Sequence, residues 1–310
     1  MLFGPVCLTA CERDKHDSSG ASSASARGAL SGSLRPPGPP ALLYLPDGGD
    51  VALSPEQQLL PGPGLAAPGR CPGDMVDVRG QFCIDRYEAT LIDAQGRSFS
   101  PYYPPQRAEA KSILARFRDI EPVMVSPPAM PVLPDWEKRE DARPIAQSRQ
   151  GVVPSGYLSG LTARAVCEAA GKRLCTGAEW EVACRGQQNR QFPYGDSYEQ
   201  GRCNVFRETH PAAELHGDAS RNHLDPRLNL VRGSEGPLLR KTGATADCRS
   251  QWGQDGIYDM VGNLDEWIDD PEGTFAGGFF ARNTREGCAA RVTAHPVEYF
   301  DYSLGVRCCR

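Results

Sequence analysis

Apolar positions in this chain come in short pieces rather than long periodic runs. Met75-Val-Asp-Val78 alternates with the period of a half-buried strand. After a turn at Arg79-Gly80, Gln81-Phe-Cys-Ile-Asp-Arg-Tyr87 predicts a second strand. Two stretches predict helices. Over roughly Thr162 to Ala170, Leu161, Ala165, Val166 and Ala169 fall on one stripe, and Gly171 supplies a stop. Thr176-Gly-Ala-Glu179 is a capping box: the Thr176 hydroxyl accepts from the Glu179 amide and the carboxylate reaches back. Trp180, Ala183 and Cys184 then share a face, and Gly186 closes the helix. Residues 100–155 hold many prolines and a charged run from Glu137 to Arg143, which predicts a long irregular excursion. The stretch from Cys203 to Cys248 predicts mostly loop, and Leu42 to Val51 has no sustained period.

Composition divides the chain. Residues 12–70 are rich in Ser, Ala, Gly and Pro, a mixture that cannot bury a core, and are expected to be a disordered linker. The folded domain is expected over 71–310. A net charge of −5 and a pI near 5.6 leave no footprint for nucleic acid. No run of 18 apolar residues is present to form a membrane-spanning helix.

Twelve cysteines among 310 residues suggest an oxidising compartment. Leu8-Thr9-Ala10-Cys11 has the form of a bacterial lipobox, in which Cys11 becomes the lipidated first residue. Residues 1–11 are short for a signal and carry no basic start, so they are expected to be the tail of a signal that begins upstream. The expected location is the cell envelope, extracytoplasmic, with the membrane reached by the lipid anchor alone.

Five segments, in order, carry a resemblance. They are Phe82-Cys-Ile-Asp-Arg-Tyr-Glu88, Ala170 to Glu181 with Ala183-Cys-Arg-Gly186, Phe192-Pro-Tyr-Gly-Asp196, Gly256 to Trp267, and Gly305-Val-Arg-Cys308. Together with Gly277-Gly278 and Cys288-Ala-Ala-Arg291 they resemble the formylglycine-generating enzyme (sulfatase-modifying factor) family. The resemblance implies an α+β, C-type-lectin-like fold with much irregular structure, held by disulfides. Pattern and composition by themselves reach only a disulfide-rich α+β domain.

Setting Cys7 and Cys11 aside leaves ten cysteines, enough for five bridges. The resemblance implies Cys167 with Cys308 and Cys184 with Cys288. Neighbourhood suggests Cys71 with Cys83, Cys203 with Cys248, and Cys175 with Cys309, and Cys308 and Cys309 could exchange partners. The family oxidises its substrate with copper(I) held by two closely spaced cysteines, a soft-ligand site. Here Arg282 stands near the first position and Gly287 near the second, so copper is not expected. A second branch of the superfamily uses non-haem iron with histidines from a separate helical domain, and no such domain is expected within these 310 residues. The chain's own His210, His216 and His223, near Asp218 and Asp225, are expected to be solvated.

Calcium is the expected metal, since it takes hard oxygens including backbone carbonyls. By resemblance the ligands are the Asp259 side chain, the Gly262 and Leu264 carbonyls and the Glu266 carboxylate, with a second site beginning at Asn204 and Val205. The expected function is a non-catalytic binding module for a peptide, protein or glycan, with loops 92–155 and 205–247 as recognition surfaces. Tyr102, Tyr103, Tyr299, Phe300 and Tyr302 are candidate contacts. The alternatives are an oxidoreductase of the superfamily acting on a protein or small thiol, and an inactive paralogue that partners a true family enzyme.

Overall fold

The computed structural model describes residues 71–310 except Asn283, together with the backbone pairing of Leu42–Tyr44 and Asp50–Ala52. The expected signal, Cys11 and most of the expected linker lie outside the described residues.

Two four-stranded sheets organise the domain. In the first, Met75–Val78 pairs with Phe82–Asp85, and Cys308–Cys309 is inserted between Phe82–Asp85 and Arg173–Leu174. In the second, Arg291–Val292, Phe275–Ala276 and Asp265–Trp267 run antiparallel, and Leu304–Val306 adds to Asp265–Trp267 in parallel. The chain therefore passes from one sheet to the other within Leu304–Cys309, and Arg307 is the residue at the crossing.

The helices pack beside these sheets. Gly160–Ala169 starts at Ser159, whose hydroxyl accepts from the Thr162 amide at 3.1 Å. It buries Gly160, Thr162, Ala163, Val166 and Cys167, while Leu161 is 54% exposed and Ala165 is also exposed. The expected stripe is thus rotated. Cys167 is tied to Cys308, and Gly160 lies close to the Trp267 ring, and these two constraints fix the helix phase. The Gly177–Arg185 helix has both halves of its capping box, and Trp180 sits fully buried on its inner face.

The excursion over 100–155 is more ordered than expected. It holds a helix, Arg107–Arg118, a short helix, Asp135–Arg139, and a strand, Ile145–Ser148, that pairs with Ala89–Ile92. The first helix buries Ala110, Ile113 and Phe117, an i, i+3, i+7 set, beside Tyr103 and Leu133. Prolines flank this helix on both sides and mask its period in a scan of the whole stretch. The 203–248 stretch is mostly loop, with one helix at Pro211–His216 that ends on the left-handed Gly217.

Five disulfides are present: Cys71–Cys83, Cys167–Cys308, Cys175–Cys309, Cys184–Cys288 and Cys203–Cys248. These are the five pairs set out above, with Cys308 and Cys309 in the stated order.

Candidate functional site

The segment from Asp259 to Trp267 forms a tight turn that leads into a core strand. Asp259 and Asn263 adopt left-handed backbone conformations, which Asp and Asn tolerate better than most residues. Gly262 is also left-handed, and its α-carbon lies so close to the Asn204 carbonyl that a side chain would collide. The turn is locked from across the domain by Glu88. Its two oxygens accept from the Leu264 amide at 2.9 Å and from Asn263 Nδ2 at 2.6 Å. Asn263 Oδ1 in turn accepts from Asn204 Nδ2 and from the Arg240 amide.

Arg307 fills the space behind the turn. Its Nη2 donates to Glu266 Oε1 at 2.8 Å, and Trp180 Nε1 donates to Glu266 Oε2 at 2.7 Å. The remaining guanidinium donors reach the Asp85 and Tyr258 carbonyls. Burial alone would lower the Arg307 guanidinium, but Glu266, Glu88 and Asp259 hold it above its ordinary range. Two of these carboxyls carry the cost. Burial pushes Glu88 well above the usual range, and Asp259 and Glu266 add to the push. Burial pushes Asp259 up to about 7, against the Gly243 amide and Arg307.

This arrangement does not fit the expected calcium set. Both Glu266 oxygens are taken by N–H donors, and the cation beside them is Arg307. One Asp259 oxygen accepts from the Gly243 amide at 2.7 Å. At the expected second site, the Asn204 carbonyl accepts from the Asn263 amide, and Val205 packs in the hydrophobic core. No group of three or more His, Cys, Asp or Glu side chains among the described residues is arranged to hold a metal ion.

The segment from Gly277 to Arg291 lies across the second sheet. Asp265, fully buried, accepts from the Gly278 amide at 2.9 Å and from Arg282 Nη1 at 3.0 Å. The Arg282 guanidinium also lies over the rings of Phe279 and Phe275, where their faces attract the cation. Burial pushes Asp265 up to about 7 in spite of Arg282. Gly287 packs against the Gln191 carbonyl, and Cys288 is joined to Cys184 on the second helix. Thus Arg282 is an ion-pair partner, Gly287 is a packing contact and Cys288 is a staple.

The histidines do not converge and are less solvated than expected. His216 is buried against Asp225 at 3.1 Å, His223 meets the Ala219 carbonyl, and His210 faces the Tyr302 hydroxyl. Asp218 binds Ser220 and Arg221 instead. Of the aromatic candidates, Tyr103 and Tyr302 are core residues, whereas Tyr102, Tyr299 and Phe300 are half-buried. Tyr102 joins Val153 and residues of the 229–244 stretch around a cleft of about 350 Å³.

Glu88, Asp265 and Arg307 were not singled out from the sequence. The signal was present for Arg307, a charge between Leu304-Gly-Val306 and Cys308-Cys309, where a solvated charge is out of place.

Residues 71–310 match the family model described as the sulfatase-modifying factor enzyme 1-like domain. Mouse formylglycine-generating enzyme is 27% identical over 226 residues, which covers 67% of this chain and 54% of that protein. The bovine formylglycine-generating enzyme is 34% identical over 121 residues, covering 38% of this chain and 27% of that protein. Bovine inactive C-alpha-formylglycine-generating enzyme 2 is 29% identical over 136 residues, covering 42% and 37%. The chain thus spans about half or less of the length of these relatives. Among solved structures, PvdO from Pseudomonas aeruginosa aligns with 17% identity and a TM-score of 0.34, covering 74% of this chain and 80% of that one.

Proposed function

From the premise that the chain belongs to the sulfatase-modifying factor enzyme 1-like family, through residues 71–310, we propose that it is a binding module that does not perform copper-dependent oxidation. One observation carries this reading. All ten cysteines among the described residues are joined in disulfides, including Cys288 beside the family's copper position. A disulfide sulfur has no thiolate to offer copper(I). Arg282 supports the same reading, since a cation paired with Asp265 occupies the neighbourhood of the first ligand. Two matched relatives have "inactive" in their names, which agrees with it.

The fold suits binding. Five bridges fix the core and leave the long excursions as surfaces on a rigid frame. Disulfides on this scale also favour an oxidising compartment, in keeping with an envelope lipoprotein anchored through Cys11. A lipid-bearing Cys11 peptide in the mass spectrum of the membrane fraction tests the anchor.

The experiment for the main reading combines three measurements on the intact protein. They are thiol counting under denaturation, copper(I) titration, and oxygen uptake with a cysteine-containing peptide. No free thiol from residues 71–310, no stoichiometric copper and no oxygen uptake are expected. Oxygen uptake with one bound copper would overturn the proposal in favour of an oxidoreductase of the same family.

A further inference from the structure

The two excursions from the core meet along one cleft, and its chemistry is lopsided. Arg232, Arg240 and Lys241 stand at the cleft, with Leu230, Leu239 and the Tyr102 ring among its apolar walls. None of the residues that line it is an Asp or a Glu. Arg232 and Lys241 are exposed, and neither has a carboxylate at ion-pair distance among the described residues. Arg240 has Glu235 at 3.7 Å, feels the buried Asp259 carboxyl as well, and donates a hydrogen bond to Thr245 Oγ1. Burial, with Arg207 adding to it, draws the Arg240 guanidinium below its ordinary range. Three cations therefore gather around an apolar hollow in a chain whose net charge is −5. The volume of about 350 Å³ falls in the range of small-molecule sites.

We propose that this cleft binds a small organic anion, a carboxylate or a phosphate monoester carried on an apolar or aromatic body. The two guanidinium groups offer planar N–H forks that match either head group, and Lys241 adds a point charge. The body rests on Leu230, Leu239 and the Tyr102 ring, whose burial gives affinity without directionality. The proposal names a ligand class for the binding module and rests on that reading for its role.

The test is calorimetric titration of the full chain with phenyl phosphate, octanoate, inorganic phosphate and benzyl alcohol. Phenyl phosphate, octanoate or both bind with one site per chain, and which of the two binds more tightly identifies the head group. Inorganic phosphate and benzyl alcohol bind at least roughly tenfold more weakly, since each lacks one half of the recognition. Arg232→Glu and Lys241→Glu change exposed side chains, leave the melting temperature in place and each weaken binding by roughly tenfold. Binding that ignores both charge reversals, equals that of benzyl alcohol or inorganic phosphate, or is absent for both organic anions overturns the proposal. Oxygen uptake would sink the non-catalytic reading without touching these titrations, so the two can fail separately.

Discussion

Arg307 and Glu266 form an ion pair in which both side chains are shut off from water, with exposures of 0% and 1%. The pair joins the crossing point of the two sheets to the strand at the end of the Asp259–Trp267 turn. Removing one partner leaves the other as an uncompensated buried charge. Arg307→Met or Glu266→Leu alone is expected to cost about 3–5 kcal/mol. The double replacement is expected to cost less than the sum, because no isolated charge remains. Denaturant unfolding with disulfides intact, run as a double-mutant cycle, measures the difference.

Calcium is expected to leave stability unchanged. The Glu266 oxygens already hold Arg307 and Trp180 donors, so calcium would have to break those bonds before it bound. A ligand at one hundred times its Kd adds about 2.7 kcal/mol. Melting curves in millimolar calcium and in chelator should therefore coincide, and a rise of several degrees with calcium would show that the turn rearranges around the ion.

Arg282→Ala is expected to destabilise the domain more at pH 8 than at pH 5. Asp265 has a folded-state value of about 7 even with Arg282 beside it, and its ordinary value is 3.8. Without Arg282 the buried carboxyl prefers its proton still more, so the penalty grows as pH rises and the proton is withdrawn. At pH 8 the loss should be about 1–3 kcal/mol, the cost of a buried group without its partner. Adding Asp265→Asn should recover most of it. Urea midpoints at the two pH values decide the matter, and equal losses at both would refute the pairing argument.

Glu137 gives a second pH signature. Burial pushes its carboxyl from 4.5 up to about 7, against the Ser100 amide, which donates to Glu137 Oε1 at 2.8 Å. The folded protein therefore binds this proton more tightly than the unfolded chain does. The contribution to stability is full below about pH 4.5 and is lost as pH rises through about 7. Glu137→Gln keeps an oxygen for Ser100 and has nothing to ionise. Its melting temperature should gain on that of the unsubstituted protein between pH 5 and pH 8, and parallel curves would count against the assignment.

Local signals in the chain were legible where a single residue type fixes the outcome. The capping box at Thr176 and Glu179 specifies a helix start whatever surrounds it, and the structure has that start. The Gly160–Ala169 helix was legible in extent but not in phase. Its rotation is decided by a bridge to Cys308 and by the approach of Gly160 to Trp267, contacts that lie far away in sequence. The Arg107–Arg118 helix was hidden among prolines that bound it rather than break it. The polar network followed the same rule. Glu266 was visible within its motif, but its neighbours Arg307 and Glu88 come from the opposite ends of the domain, and only folding brings the three together.

The strand Cys308–Cys309 sits in the middle of the first sheet and carries two bridges, to Cys167 and Cys175. During synthesis the strands on either side of it emerge well before it does, and they must wait with a gap between them. No nascent chain that stops short of Cys309 can close that sheet or oxidise those two pairs. Maturation of this domain therefore happens after nearly all of it has been made, and depends on an oxidant that meets the whole chain rather than its growing end.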